Sequence, residues 1–166
     1  MRSKVLLLAL VAAVSFAQDA DLPEAYDAPV VTEGVPFNQV LGLLSETERD
    51  LTVVMDSVDA LSAELEALSG RVRIKVIRGA EPGRGESSLV RSGVAFKTFG
   101  APIPELLIVA DFKTVMAMDI PDELREADAP VPSPYDYPWQ VVQAPDILTA
   151  VAEDLGFAWE TAQEVP

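Results

Sequence analysis

The strongest constraint on the fold lies between Leu51 and Arg78. "LTVVM" at 51–55 is a short continuous apolar run, as expected of a strand buried on both faces. Asp56 or Ser57 then offers a helix cap, and Val58, Leu61, Leu65 and Leu68 recur at helical spacing until Gly70 stops the pattern. "RVRIKVIR" at 71–78 alternates Val72, Ile74 and Val76 with Arg71, Arg73 and Lys75. Such a strand has one wet basic face, the chemistry that protects a sheet edge. Strand, helix and strand in that order make a β-α-β unit, expected to be parallel and right-handed.

Residues 1–17 read as a secretory leader. Arg2 and Lys4 precede the apolar run "VLLLALVAAV", which is too short to span a bilayer comfortably, and Ser15-Phe16-Ala17 has the small-x-small pattern of a cleavage site before Gln18. The protein is therefore expected to be periplasmic or secreted, without membrane insertion. The adjoining stretch, 18–36, is acidic and punctuated by Pro23, Pro29 and Pro36, and reads as a mobile arm. Asp19, Asp21, Glu24 and Asp27 lack the spacing of a calcium loop and read as solvated charge. Phe37, Val40, Leu41 and Leu44 then repeat at helical spacing, predicting a short helix packed on the domain.

The chain contains neither cysteine nor histidine. That removes Cys/His zinc sites, Ser–His and Cys–His nucleophile systems, and thiol redox chemistry. No metal or cofactor is expected. The net charge of −15 becomes −17 without Arg2 and Lys4, which disfavours nucleic acid and anionic lipid as partners. Residues 71–97 run against this trend with seven basic side chains and only Glu81 and Glu86 opposing them. One basic docking edge, or mere solubility of an acidic protein, would each account for that distribution.

Beyond the β-α-β unit, Gly79, Gly83 and Gly85 do not fit a phosphate-loop spacing and no lysine accompanies them, so "GAEPGRGESS" reads as a flexible connection. "SLVRSGVAFKTF" predicts a short helix or irregular turn. "ELLIVA" from Glu105 reads as a buried central strand, Asp111-Phe112 as a turn and "KTVMAMDI" as the hairpin partner. After a Pro-rich passage from Pro130 to Pro138, Pro145 or Asp146 should open a last helix with Ile147, Leu148, Val151 and Leu155 as its apolar stripe, ending at Gly156.

Two prolines stand just before the central strand, in "FGAPIPELLIVADFK" at 99–113. Proline is normally confined to the first residue of a strand, where a cis bond is also tolerated. With the order β-α-β, connection, β-hairpin and helix, "GAPIPELLIV" resembles the cis-proline element of the thioredoxin-like superfamily, with Pro104 in the cis position after Ile103. The resemblance implies an α/β fold, a thioredoxin-like three-layer sandwich with a mixed four-stranded sheet over residues 51–166, preceded by an acidic arm with a short helix at 18–50. Laying the family's Cys-x-x-Cys on the chain places it on Asp59-Ala60-Leu61-Ser62, so thiol–disulfide exchange is absent.

The Phe99-Gly100-Ala101-Pro102-Ile103-Pro104 run also resembles thioredoxin-like pilin-assembly proteins of F-type conjugation systems. By that resemblance the expected function is non-catalytic, a protein–protein interaction or envelope-assembly role. The partner, an envelope protein or peptide segment, would be gripped by Ser57, Asp59, Ala60, Ala101, Ile103 and Pro104. Two other functions stay open. Asp56 and Asp59, three apart at a helix start, are placed for histidine-free acid–base chemistry, though capping and the helix dipole favour carboxylates there too. An acidic exported cation- or solute-binding protein is the other. Tyr135, Tyr137 and Trp139 among prolines form either a secondary aromatic anchor or a lid folded over the core, and Trp159 reads as core or rim packing.

Overall fold

A computed structural model describes residues 29–103, 105–125, 130–143 and 148–164. Residues 1–17, expected to be a leader, the first part of the acidic stretch, Pro104, and Pro145 and Asp146 at the expected helix start lie outside the described residues. Among the described residues eight strands form one sheet: β1 (Val30–Val35), β2 (Asp50–Met55), β3 (Arg73–Arg78), β4 (Ala95–Thr98), β5 (Leu107–Ala110), β6 (Thr114–Met118), β7 (Trp139–Gln143) and β8 (Gln163–Glu164). They are accompanied, among the described residues, by the helices α1 (Phe37–Ser45), α2 (Ser62–Ser69), α3 (Glu86–Arg91) and α4 (Leu148–Thr161). A turn of 3-10 helix at Asp59–Leu61 leads into α2, and another spans Asp122–Arg125.

The strand order is β1-β7-β6-β5-β2-β3-β4-β8. The β-α-β unit forms as expected, with β2 parallel to β3 and Leu51 opposite Ile74. β5 lies antiparallel on the other side of β2, and β6 is its hairpin partner. The four expected strands thus stand side by side as β3-β2-β5-β6, in the expected directions. The sheet has eight strands rather than four, however: β4 extends it in parallel beyond β3, β8 adds an antiparallel edge to β4, and β7 and β1 extend it antiparallel beyond β6. β3 is therefore interior, which corrects its reading as a protected edge.

Alternation along the strands feeds two cores. Leu51, Val53, Met55, Ile74, Val76, Ile108 and Met116 pack with Val40 and Leu44 of α1, Leu65 and Leu68 of α2 and Leu89 of α3. On the opposite face Val54, Ile77, Leu107, Val109 and Val115 meet Leu155, Ala158 and Ala162 of the α4 segment. Helices on both faces keep the central strands dry, as continuous apolar strands require. α1 forms where Phe37, Val40 and Leu44 predict it. The end of the acidic stretch read as a mobile arm is β1, hydrogen-bonded along β7, and α4 runs past Gly156 to Thr161. Among the described residues no helix is long and apolar enough to cross a membrane.

Candidate functional site

The chain leaves β2 in one direction to build β3 and β4, then returns to build β5, β6 and β7 on the other side. The junction of β2 and β5 is consequently a switch point of the topology. In open α/β sheets, clefts for ligands form beyond the carboxyl ends of the strands at such points. A cleft of about 300 Å³ sits there, lined by Met55, Asp56, Ser57, Asp59 and Ala60 after β2, Leu106 before β5, and Val131, Pro132, Ser133 and Pro134.

Asp56 does not cap the following helix. Its Oδ1 accepts the backbone N–H of Ile103 at 3.0 Å, tying the loop before β5 to the end of β2. Ser57 Oγ accepts the N–H of Asp59 at 3.3 Å, and Ser62 Oγ donates to the carbonyl of Asp59 at 3.0 Å, which orders the turn that carries the second carboxylate. Met55 and Leu106 are buried and give the cleft an apolar floor. The arrangement offers carboxylate acceptors beside apolar wall, which suits a group with donor hydrogens on an apolar stem.

Of the six residues expected to grip a partner, Ser57, Asp59 and Ala60 line the cleft. Ile103 is not among the lining: its side chain is buried in the core that α4 covers, and its backbone N–H bonds to Asp56. Ala101 is exposed and does not line it, and the expected cis bond involves Pro104, outside the described residues. Sequence reasoning missed the third wall, Val131 to Pro134, although the Pro-rich passage was its signal.

Trp139 anchors that wall. It is fully buried, stacks on Phe37 with ring centroids 5.5 Å apart, and donates from Nε1 to the carbonyl of Pro134 at 2.9 Å. Tyr135 meets the edge of Phe37 at 4.7 Å while staying 66% exposed, and Tyr137 packs against the core. The aromatic group is thus a lid for Trp139 and Tyr137, with Tyr135 alone presented outward.

The basic stretch is mostly engaged within the protein. Arg71 donates to the carbonyls of Ser45 and Thr47 at the end of α1. Arg73 pairs with Asp50 at 2.7 Å. Lys75 and Lys97 each hold Nζ 5.1 Å from the ring centroid of Trp159, and Lys97 also meets Glu164 at 3.2 Å. Trp159 is therefore a latch between α4 and the basic strands. The glycine connection is not loose: Gly83 packs so closely on the turn after β2 that a Cβ there would lie 2.6 Å from Asp59 Oδ1.

Among the described residues no group of three or more histidine, cysteine, aspartate or glutamate side chains is placed to hold a metal. No family model matches the sequence. No curated protein matches it either. Solved structures do share the fold. TrmBL2, an archaeal chromatin protein with a novel mode of DNA binding, superposes with a TM-score of 0.55 at 14% identity, over 99% of this chain and 62% of TrmBL2. Nuc from Salmonella typhimurium, a phospholipase D family member, gives 0.58 at 16% identity over 82% of this chain and 98% of Nuc. The phosphatidylserine synthase of Haemophilus influenzae gives 0.54 at 12% identity over 91% of this chain and 44% of the synthase. The chain thus spans less than two thirds of TrmBL2 and less than half of the synthase. At these identities the likeness is one of fold.

The comparison overturns the expectation that the chain is not an enzyme. That expectation followed from a thioredoxin-like frame stripped of its cysteines, whereas the frame observed is shared with a phospholipase D family member and a phosphatidylserine synthase. Lacking cysteine and histidine removes particular nucleophile systems, not catalysis as such.

Proposed function

We propose that this protein works outside the cytoplasm and holds an extended, positively charged segment of an envelope partner in the cleft beside Asp56 and Asp59. The observation that carries the reading is the Asp56–Ile103 hydrogen bond, which fixes one carboxylate and the loop before β5 against the same cleft. A fixed acceptor beside apolar wall favours a lysine side chain, whose apolar stem and ammonium head match the two surfaces. The overall charge of −15 supports a cationic partner through long-range attraction. A nucleic acid, the ligand of the chromatin protein with this fold, is less compatible with basic side chains already engaged at Asp50, Glu164 and Trp159. The leader-like residues 1–17 support export. This reading keeps the gripping of a partner beside the loop before β5 that the thioredoxin-like resemblance implies.

The test uses a fluorescein-labelled peptide of alternating lysine and valine. Saturable binding that weakens at least tenfold with Asp59→Lys, and falls as salt rises from 50 to 200 mM, supports the reading. Equal affinity for an alternating glutamate–valine peptide sinks it.

A second reading has its own support: Asp56 and Asp59 line one cleft of a fold that carries enzymes. Two carboxylates can serve as general acid and base without histidine. Turnover of phosphodiester or carboxylester substrates by purified protein, abolished by Asp56→Asn with Asp59→Asn, would establish it in place of the first.

A further inference from the structure

Arg78, the last residue of β3, and Glu86, the first of α3, form an ion pair with Nε 2.7 Å from Oε2. Both side chains are more than nine-tenths buried, at 6% and 7% exposure. Burying two charges gives no assured stability, because desolvation consumes most of the attraction. The geometry around the pair gives it another role.

The two side chains hold opposite ends of one turn. Arg78 Nη1 donates to the carbonyls of Gly79 at 2.7 Å and Ala80 at 2.9 Å, and Thr98 Oγ1 is a second donor to the Gly79 carbonyl at 2.7 Å. Glu86 Oε2 accepts the N–H of Gly83 at 3.3 Å. Between these anchors the turn lies against the segment after β2. Gly79 N–H donates to the carbonyl of Asp56 at 3.2 Å. A Cβ on Gly79 would overlap Asp56 Oδ1, and one on Gly85 would come within 3.2 Å of Ser62 Cβ. Glycine is needed where backbone approaches this closely.

We infer that Arg78 and Glu86 are positioning residues for the cleft: they hold the 79–85 turn behind Asp56 and Asp59 and thereby fix where the two carboxylates stand. Neither residue lines the cleft, so each acts through the glycine backbone. The inference rests on the reading of that cleft as a binding site.

The experiment uses the full chain labelled with nitrogen-15. The Ile103 amide reports on Asp56, and the amides of Glu48, Arg49 and Asp50, which donate to Asp111, report on the opposite end of the sheet. Glu86→Gln removes the charge at constant size, and Gly79→Ala crowds Asp56 directly without touching the ion pair. Both variants should raise hydrogen exchange at Ile103 at least tenfold, shift its amide proton upfield and weaken the lysine–valine peptide at least fivefold. The amides at 48–50 should keep their wild-type rates. An unchanged Ile103 amide in Glu86→Gln overturns the inference even if Gly79→Ala moves it, as does an equal rise at both ends of the sheet, which marks a structural role only. If wild-type protein does not bind the peptide, the binding reading fails by itself, and the Ile103 amide still decides the positioning role.

Discussion

Asp56 Oδ1 stands 3.0 Å from the backbone nitrogen of Ile103, a residue 47 positions later in the chain. One side chain thereby joins the end of β2 to the loop that leads into its antiparallel neighbour β5. Asp56→Ala should strand the Ile103 N–H, at a cost of about 1–3 kcal/mol. Asp56→Asn keeps an acceptor and should cost less than half as much. Urea unfolding of the two variants checks the ranking, and equal losses would contradict it.

Trp139 supports the cleft from behind. Trp139→Phe keeps the stack on Phe37 but frees the Pro134 carbonyl, and should cost about 1 kcal/mol. Trp139→Ala removes a fully buried ring and should cost about 3–5 kcal/mol. The Phe variant should also weaken the lysine–valine peptide, because Pro134 lines the cleft. Calorimetry and peptide titration read the two effects separately.

At the opposite end of the sheet, Asp111 occupies the hairpin turn with φ at +52°, and its carboxylate accepts N–H groups of Glu48, Arg49 and Asp50 at 2.9, 2.7 and 3.0 Å. Desolvation alone would raise its pKa. The three backbone bonds and nearby Lys113 outweigh it and hold the carboxyl below its ordinary value. The resulting stability is complete above about pH 4, the unfolded range, and disappears as pH falls through the lower folded-state value. Asp111→Asn tolerates the same positive φ and isolates the charge. Its Tm should lie about 2–4 °C below wild type at pH 7, with the gap closing on acidification. A gap that widens in acid would contradict the assignment.

The double lysine contact on Trp159 should tie α4 to β3 and β4. Trp159→Leu removes two cation–π contacts, each worth about 0.5–1 kcal/mol where exposed. Amide exchange should rise at Lys97 and Thr98, which pair with β8, and stay unchanged in β5 and β6. Uniform acceleration would mean global destabilisation instead.

The β-α-β unit, α1 and the β5–β6 hairpin were legible in the sequence because each is specified by local periodicity. β4, with only "AFKT", is too short to declare itself beside a helix. β7 comes after a run of prolines and becomes a strand through ladders to β6 and to β1, more than a hundred residues away. β1 carries Glu33 and Gly34, and with a register shift before Val35 it reads as acidic coil until β7 is there to pair with it. Sequence separation also hid the third wall of the cleft: Ser57, Asp59 and Ala60 are local to a helix start, whereas Val131 to Pro134 come from far along the chain, tied to Trp139 through the Pro134 carbonyl. The glycines of 79–85 look like flexibility in sequence and prove to be close approach, because a glycine's neighbour is not written beside it.

Amide shift mapping of the nitrogen-15-labelled chain with the lysine–valine peptide tests the proposed cleft most directly. Saturable perturbations are expected at Asp56, Ser57, Asp59 and Ala60, with Ile103, Leu106, Val131 and Ser133 moving in the same titration. Perturbations gathered instead on Lys75, Lys97 and Trp159, or none that saturate, would contradict the assignment of function to this cleft.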